Sequence, residues 1–227
     1  MEHLSGAIKF IAAGGIWVMP IIAVGVIGLG VVLERYFVLI RATRANRRTW
    51  DQIQPLLHKG NFDKARELTR NDKSAVATLL NAGLESEGVV RRRNDIELAM
   101  EEALQSITPQ FEKRISYLSL FANLATLLGL FGTIVGLIGA FAAVATAAPS
   151  EKSALLSLSI SEAMSCTATG LLIAMPMLTF SMLLNTKASR IIAGLEIATL
   201  KTINMIVRAG ATARISQFHE YAEKKAS

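Results

Sequence analysis

One acidic residue stands alone in a long apolar part of the chain. Between Lys152 and Lys187 the only charged residue is Glu162, which is surrounded by Leu, Ile, Ala, Met, Ser and Thr. A carboxylate inside a membrane is costly unless it faces protein or water, so it marks a functional site by default. The chemistry that it offers is proton binding, because a carboxylate in a low-dielectric pore takes up a proton more readily than one in water.

Two accounts of the helix around Glu162 are open. A continuous helix from Lys152 places Glu162 about 15 Å along its axis, near the middle of a ~30 Å hydrocarbon core. If the helix begins at Glu162 instead, the serine-rich residues 153–161 lie in the interface. The carboxylate then occupies a helix N-terminus, where the helix dipole favours it.

Small polar residues accompany Glu162 on one side of its helix. At about 100° per residue, Glu162, Ser165, Cys166 and Thr169 share roughly a third of the circumference, whereas Thr167 lies off that face. A polar stripe inside a membrane requires protein or water beside it. Ser165 and Thr169 are therefore secondary candidates for lining a pore, and Cys166 is interpreted as a small packing residue.

A second apolar segment carries small and hydroxylated residues at regular intervals. Gly132, Gly136 and Ala140 repeat at four, which allows another helix to approach closely. Thr126 and Thr133 are seven residues apart and share a face. Either Thr133 bonds a carbonyl of its own helix, or these hydroxyls line a cavity at the centre of an oligomer.

No other chemistry is indicated by the sequence. It contains no P-loop, no nucleophile beside a base and no metal-ligand cluster, so we predict neither an enzyme nor a cofactor or metal. The net charge of +6 comes from basic residues that alternate with acids, without a nucleic-acid-binding motif. Residues 91–93 (RRR) are interpreted as a solvated segment or a contact with membrane lipid headgroups.

Three uncharged segments are long enough to span a bilayer, at residues 10–33, 115–150 and 163–186. We interpret the first as a retained helix, since it is longer than a signal-peptide core and lacks a cleavage site. Basic residues concentrate in the segment after the first span and in the C-terminal tail, which places both in the cytoplasm. The sequence thus predicts an all-α, polytopic protein with three transmembrane helices, N-out and C-in.

The cytoplasmic parts follow a helical period. Short helices are predicted over residues 51–59, 62–70 and 74–86, and a longer helix bent near Pro109 leads into the second span. After Lys187 an apolar stripe predicts that the third helix extends into the cytoplasm. The predicted organisation is an N-terminal segment with the first span, a cytoplasmic helical domain, the second span, a periplasmic turn, the third span and a C-terminal helix, at residues 1–40, 41–114, 115–148, 149–154, 155–186 and 187–227.

Two separated motifs resemble the MotA/TolQ/ExbB proton-channel family. The first is residues 127–138 (LLGLFGTIVGLI), and the second combines residues 160–163 (ISEA), 167–171 (TATGL) and 174–176 (AMP). They occur in order on the two helices already inferred, which makes the resemblance specific. It is closest from about residue 118 to residue 184, and within the family it is nearest to the ExbB type.

The resemblance implies a homopentamer around a central pore, lined by the second and third helices. The pore would hold the transmembrane helix of an ExbD-like single-span partner, whose aspartate carries protons. Matched by motif, Thr133 and Thr167 would face that aspartate, and Glu162 would be the pore carboxylate nearer the periplasm. The helical wheel instead groups Thr169 with Glu162, and we favour Thr167.

The function that follows from the resemblance is coupling of the proton motive force to a TonB-like protein in the bacterial inner membrane, for transport across the outer membrane. One alternative is a TolQ-like subunit for envelope maintenance. Another is a structural membrane scaffold in which Glu162 only caps a helix.

Overall fold

The computed structural model describes the backbone of residues 15–89 and 93–226, and the side chains of residues 15–85 and 93–209. The described residues form helices joined by short turns, without a strand. The helices are α1 (Val18–His58), α2 (Phe62–Asn71), α3 (Ala75–Val89), α4 (Arg93–Glu112), α5 (Ile115–Thr146) and α6 (Lys152–Ala226).

Within the described part of the chain, three helical stretches are long and apolar enough to cross a membrane. They are Val18–His58, Arg93–Thr146 and Lys152–Ala209. The prediction of an all-α chain with three apolar membrane-crossing helices is confirmed to this extent. The prediction of a lipid contact by residues 91–93 falls largely outside the described residues, and Arg93 lies 3.8 Å from Glu97 in an ion pair.

The ends of two helices differ from the sequence-based expectation. A separate helix over residues 51–59 is wrong, because α1 continues to His58 through Pro55. A helix continuous from Phe10 is also wrong, since Gly15–Trp17 is not helical and α1 begins at Val18, while residues 10–14 lie outside the described part.

The connection between α4 and α5 also differs. Pro109 lies inside α4, and the Lys113 amide still donates to its carbonyl at 3.0 Å. The interruption falls instead at Arg114, which has a left-handed backbone with φ of 65°. The helix therefore breaks five residues after the proline near which a bend is predicted.

The chain divides into two compact units, which are described separately. The first unit comprises the chain up to Tyr36 together with Arg114–Asn185, and the second comprises Phe37–Lys113 and the chain from Thr186 onward. A core of Ile21, Ala122, Ala125, Ala174 and Met177 joins α1, α5 and α6 within the first unit. Its alanines let the helix backbones approach closely.

A charged cluster joins α1 to the start of α5 in the first unit. Oε1 of Glu34 accepts from Arg35 at 2.7 Å and from Arg114 at 2.8 Å. The Arg35 side chain is only 7% exposed, so it depends on a nearby anion more than a surface arginine does. Arg114 is also the residue whose left-handed backbone separates α4 from α5.

We predict that Glu34→Gln lowers the free energy of unfolding by about 1 kcal/mol, because one carboxylate oxygen serves two guanidinium groups and the amide carries no charge. Chemical unfolding in detergent micelles measures the change. Asp63→Asn is a suitable control, since Asp63 is 99% exposed beside Arg66, and its replacement should alter stability by less than about 0.5 kcal/mol. Equal stabilities of the two variants would contradict the structural role of Glu34.

The second unit has its own apolar core and a polar network. Buried leucines of α3 and Met100 of α4 belong to this core, as does Leu195 of α6. Asp72 accepts a hydrogen bond from Thr49, and Asn46 accepts one from the Val76 amide at 3.3 Å. The apolar stripe predicted beyond Lys187 is confirmed at its buried positions, which are Ile191, Leu195, Ala198, Ile203 and Ile206.

Candidate functional site

Glu162 lies in the third turn of α6, ten residues after Lys152. Because α6 runs without interruption from Lys152, the account in which the helix begins at Glu162 is wrong. The Glu162 side chain is exposed. None of the described residues forms a hydrogen bond or an ion pair with it. Its oxygens therefore carry no bond to the part of the chain that the structure describes.

The residue that lies against Glu162 is Gly15, just before α1. A β-carbon at Gly15 would lie 1.9 Å from Oε1 of Glu162 and 3.1 Å from its Cδ. Gly15 also has φ of +64°, a backbone conformation that favours glycine. Sequence reasoning missed this contact, although the Gly14-Gly15 pair is a turn signal.

Trp17 attaches the same turn to α5. The Trp17 and Phe131 rings meet edge to face, with centroids 5.1 Å apart and an interplanar angle of 83°. A β-carbon at Gly132 would lie 3.4 Å from Cβ of Trp17. The turn before α1 is thus held between α5, through Trp17, and the Glu162 side chain of α6.

The other polar residues on the Glu162 side of α6 point into the protein. Ser165 is 5% exposed and Thr169 is 1% exposed. The Ser165 hydroxyl donates to the Ser161 carbonyl at 2.8 Å, and the Thr169 hydroxyl donates to the Ser165 carbonyl at 2.8 Å. Within the single chain, both hydroxyls bond to carbonyls of their own helix. Glu162 is therefore the exposed polar residue on this side of α6.

Thr167 makes a contact between helices. Its hydroxyl donates to the Gly129 carbonyl of α5 at 2.9 Å, and its side chain is partly buried. The two helices touch at this point, because a β-carbon at Gly170 would lie 2.6 Å from the Ala125 carbonyl oxygen. Thr167 therefore lies within a close contact of α5 and α6.

The small residues of α5 lie along the same contact. A β-carbon at Gly132 would lie 2.9 Å from Cβ of Cys166, and one at Gly136 would lie 3.0 Å from Cβ of Ala163. Ala140 is 2% exposed. Since higher positions on α5 meet lower positions on α6, the helices are antiparallel, and Gly136 lies near the level of Glu162.

The threonines of α5 bond to their own helix. The Thr126 hydroxyl donates to the Ala122 carbonyl at 3.1 Å, and the Thr133 hydroxyl donates to the Leu130 carbonyl at 2.6 Å. Both side chains are partly buried. In the single chain these hydroxyls bond to carbonyls of their own helix, as one of the two alternatives for Thr133 predicts. Each hydroxyl oxygen can still accept a hydrogen bond from another group.

A second cluster of polar side chains lies between the start of α5 and the middle of α6. The Oγ atoms of Ser119 and Ser181 are 2.9 Å apart, beside a cavity of about 360 Å³ that is also lined by Ser116 and Asn185. Sequence reasoning missed this cluster, whose signal is hydroxyl and amide side chains in apolar segments. Among the described residues no group of three or more His, Cys, Asp or Glu is placed to hold a metal ion.

Part of the chain matches a known protein family. Residues 71–197 match the MotA/TolQ/ExbB proton channel family, which covers more than half of the 227 residues. The matched region contains Thr133, Glu162 and Thr167, whereas Gly15 and α1 lie before it. A search of curated proteins finds no match.

Proposed function

Because the chain belongs to the MotA/TolQ/ExbB proton channel family, we propose that it is an ExbB-like proton-channel subunit of a bacterial inner-membrane motor. With an ExbD-type partner, it converts the proton motive force into work on a TonB-like protein. That work energises TonB-dependent transport across the outer membrane. The chain itself performs no covalent chemistry in this role.

The observation that carries the proposal is the state of Glu162. It is the one charged residue between Lys152 and Lys187, and it is exposed without a partner among the described residues. A lone intramembrane carboxylate is costly in lipid and useful beside a water-filled path. The scaffold alternative assigned Glu162 to capping a helix, and α6 begins ten residues earlier, which removes that role.

In the proposed assembly five copies surround a pore, with the N-terminus outside and the C-terminus in the cytoplasm. The partner's single transmembrane helix lies in the pore and presents the aspartate that carries protons. Thr133, Thr167 and Glu162 face this helix, and Glu162 is nearer the periplasm. The large exposed apolar side chains of the first unit, such as Ile27, face lipid or neighbouring copies.

The energy available to this machine is limited by the membrane potential. One elementary charge that crosses 100 mV provides about 2.3 kcal/mol. A carboxylate that alternates between charged and neutral forms can bias two helix arrangements. A mechanical event that needs more than this energy draws on several protons, and Glu162 would control water and charge along their path.

Proton flux into liposomes tests the proposal directly. The protein is reconstituted with and without an ExbD-type partner, a potassium potential is imposed, and a trapped pH-sensitive dye reports acidification. We expect flux that requires both proteins and the potential. Flux that is identical to that of empty liposomes, from a complex that is shown to be intact, would overturn the channel role.

The TolQ-like alternative differs in its cellular output, while the membrane chemistry is the same. Expression in cells that lack either subunit type separates the two. Restored TonB-dependent uptake supports the ExbB-like role. Restored resistance to detergent, without uptake, supports envelope maintenance. Adjacent reading frames for TonB, or for Tol and Pal proteins, provide an independent indication.

A pair of isosteric variants tests which threonine serves the pore. We predict that Thr167→Val lowers partner-dependent flux severalfold, because Thr167 lies at the contact of α5 and α6 and is only partly buried. Thr169→Val should retain flux, because the Thr169 hydroxyl is buried against its own helix. The liposome assay measures both variants, and the reverse order would favour the helical-wheel assignment of Thr169.

A further inference from the structure

We propose that Gly15 is a positioning residue for Glu162, and that the turn Gly15–Trp17 limits where the carboxylate can lie. This inference rests on the proposed function, in which Glu162 belongs to the proton path. Gly15 lies outside the part of the chain that matches the family, so the match assigns it no role.

The contact leaves no room for any side chain at position 15. A β-carbon there would lie 1.9 Å from Oε1, 3.1 Å from Cδ and 3.6 Å from Cγ of Glu162. The first distance is far below any real contact between a β-carbon and an oxygen. Because the atoms that block it form the end of a flexible side chain, a methyl group would displace the carboxylate and leave the helices in place.

Hydrogen bonds and packing hold the turn in place, so it can limit the position of the Glu162 carboxylate. Its carbonyls accept from the first amides of α1, with Val18 donating to Gly15 and Met19 donating to Ile16, both at 3.3 Å. Val18 is 2% exposed, and Trp17 packs on Phe131 and Gly132 of α5. The turn is therefore fixed to the body of the first unit by contacts other than the one with Glu162.

Within the described residues, contact with the Gly15 turn confines the carboxylate, and none of them donates a hydrogen bond to it. The Gly15 turn blocks one side, and the exposed side leaves the oxygens open to water or to a partner. Such an arrangement restricts the place of a group that binds a proton and leaves its exposed side available.

The test uses Gly15→Ala, Glu162→Asp and the double variant. We expect Gly15→Ala to lower partner-dependent proton flux by about tenfold, within the range of coupling between side chains in contact. Aspartate is shorter by one methylene group and leaves space for the alanine methyl. The double variant should therefore conduct more than Gly15→Ala alone, which a general loss of structure does not predict.

A second measurement does not require the partner. A hydrophobic carbodiimide modifies protonated carboxyl groups, and mass spectrometry reports the initial rate of labelling at position 162. Gly15→Ala should raise that rate by about threefold, because the displaced carboxyl group loses the shielding of the turn. Glu162→Gln provides the blank for this site.

Gly60→Ala is the matched control for backbone strain. Gly60 also has positive φ, at +71°, and no atom lies within 4 Å of its would-be β-carbon. It should reproduce the strain without changing flux or labelling. If Glu162→Gln abolishes flux while Gly15→Ala matches wild type in both measurements, the positioning role is overturned and the proposed function stands. If Glu162→Gln conducts normally, Glu162 lies outside the proton path and that part of the proposed function fails, and the labelling result alone decides whether Gly15 positions the carboxylate.

Discussion

Glu162→Gln is expected to abolish partner-dependent proton flux and to leave the protein folded. Glutamine has nearly the same shape, but it neither carries the negative charge nor takes up a proton. No other Asp, Glu, His, Lys or Arg lies between Lys152 and Lys187 to replace it. The liposome assay should therefore show flux near that of liposomes without the partner, and TonB-dependent uptake should be lost in cells.

The stability of the Glu162→Gln variant separates loss of function from loss of fold. The Glu162 side chain is exposed and has no hydrogen-bond or ion-pair partner among the described residues, so its replacement should change the unfolding free energy by less than about 0.5 kcal/mol. Glu151→Gln is the matched control, because Glu151 is an exposed carboxylate in the turn before α6. It should conduct as wild type does. Unchanged flux and uptake in Glu162→Gln would remove Glu162 from the proton path.

The parts of the fold that were predictable depend on local patterns. A four-residue repeat of small side chains predicts close helix packing, and Gly132 and Gly136 do lie against Cys166 and Ala163 of α6. The length and apolarity of three segments likewise predict three membrane-crossing helices. Both features can be read within one segment, since they depend on spacing along a single helix.

The parts that were missed depend on contacts between distant segments. Arg114 leaves the helical conformation beside Glu34, which is 80 positions away, and the adjacent residues contain no strong helix breaker. Gly15 meets Glu162 across most of the chain. The end of α1 was misplaced for the opposite reason: residues 34–54 contain neither Gly nor Pro, and the change to polar composition there does not end a helix.

Gly170→Ala is expected to destabilise the first unit by about 1–3 kcal/mol, the usual cost of forcing extra volume into a packed contact. A β-carbon at Gly170 would lie 2.6 Å from the Ala125 carbonyl oxygen and 3.2 Å from Cα of Gly129. Both are backbone atoms, so no side chain can rotate to make room and the helices must separate. Separation would also break the hydrogen bond from Thr167 to Gly129.

Comparison with a glycine in open space isolates this clash from helix propensity. Gly139 lies on α5 with no atom within 4 Å of its would-be β-carbon, so Gly139→Ala should retain or slightly raise stability. Unfolding in detergent measures both variants, and the order Gly139→Ala above Gly170→Ala is the expected result. Equal stability would mean that α5 and α6 are not in contact at Gly170. Because Thr167 lies at the same contact, the Gly170→Ala variant that still folds should also lose flux, which would connect the packing of the two helices to conduction.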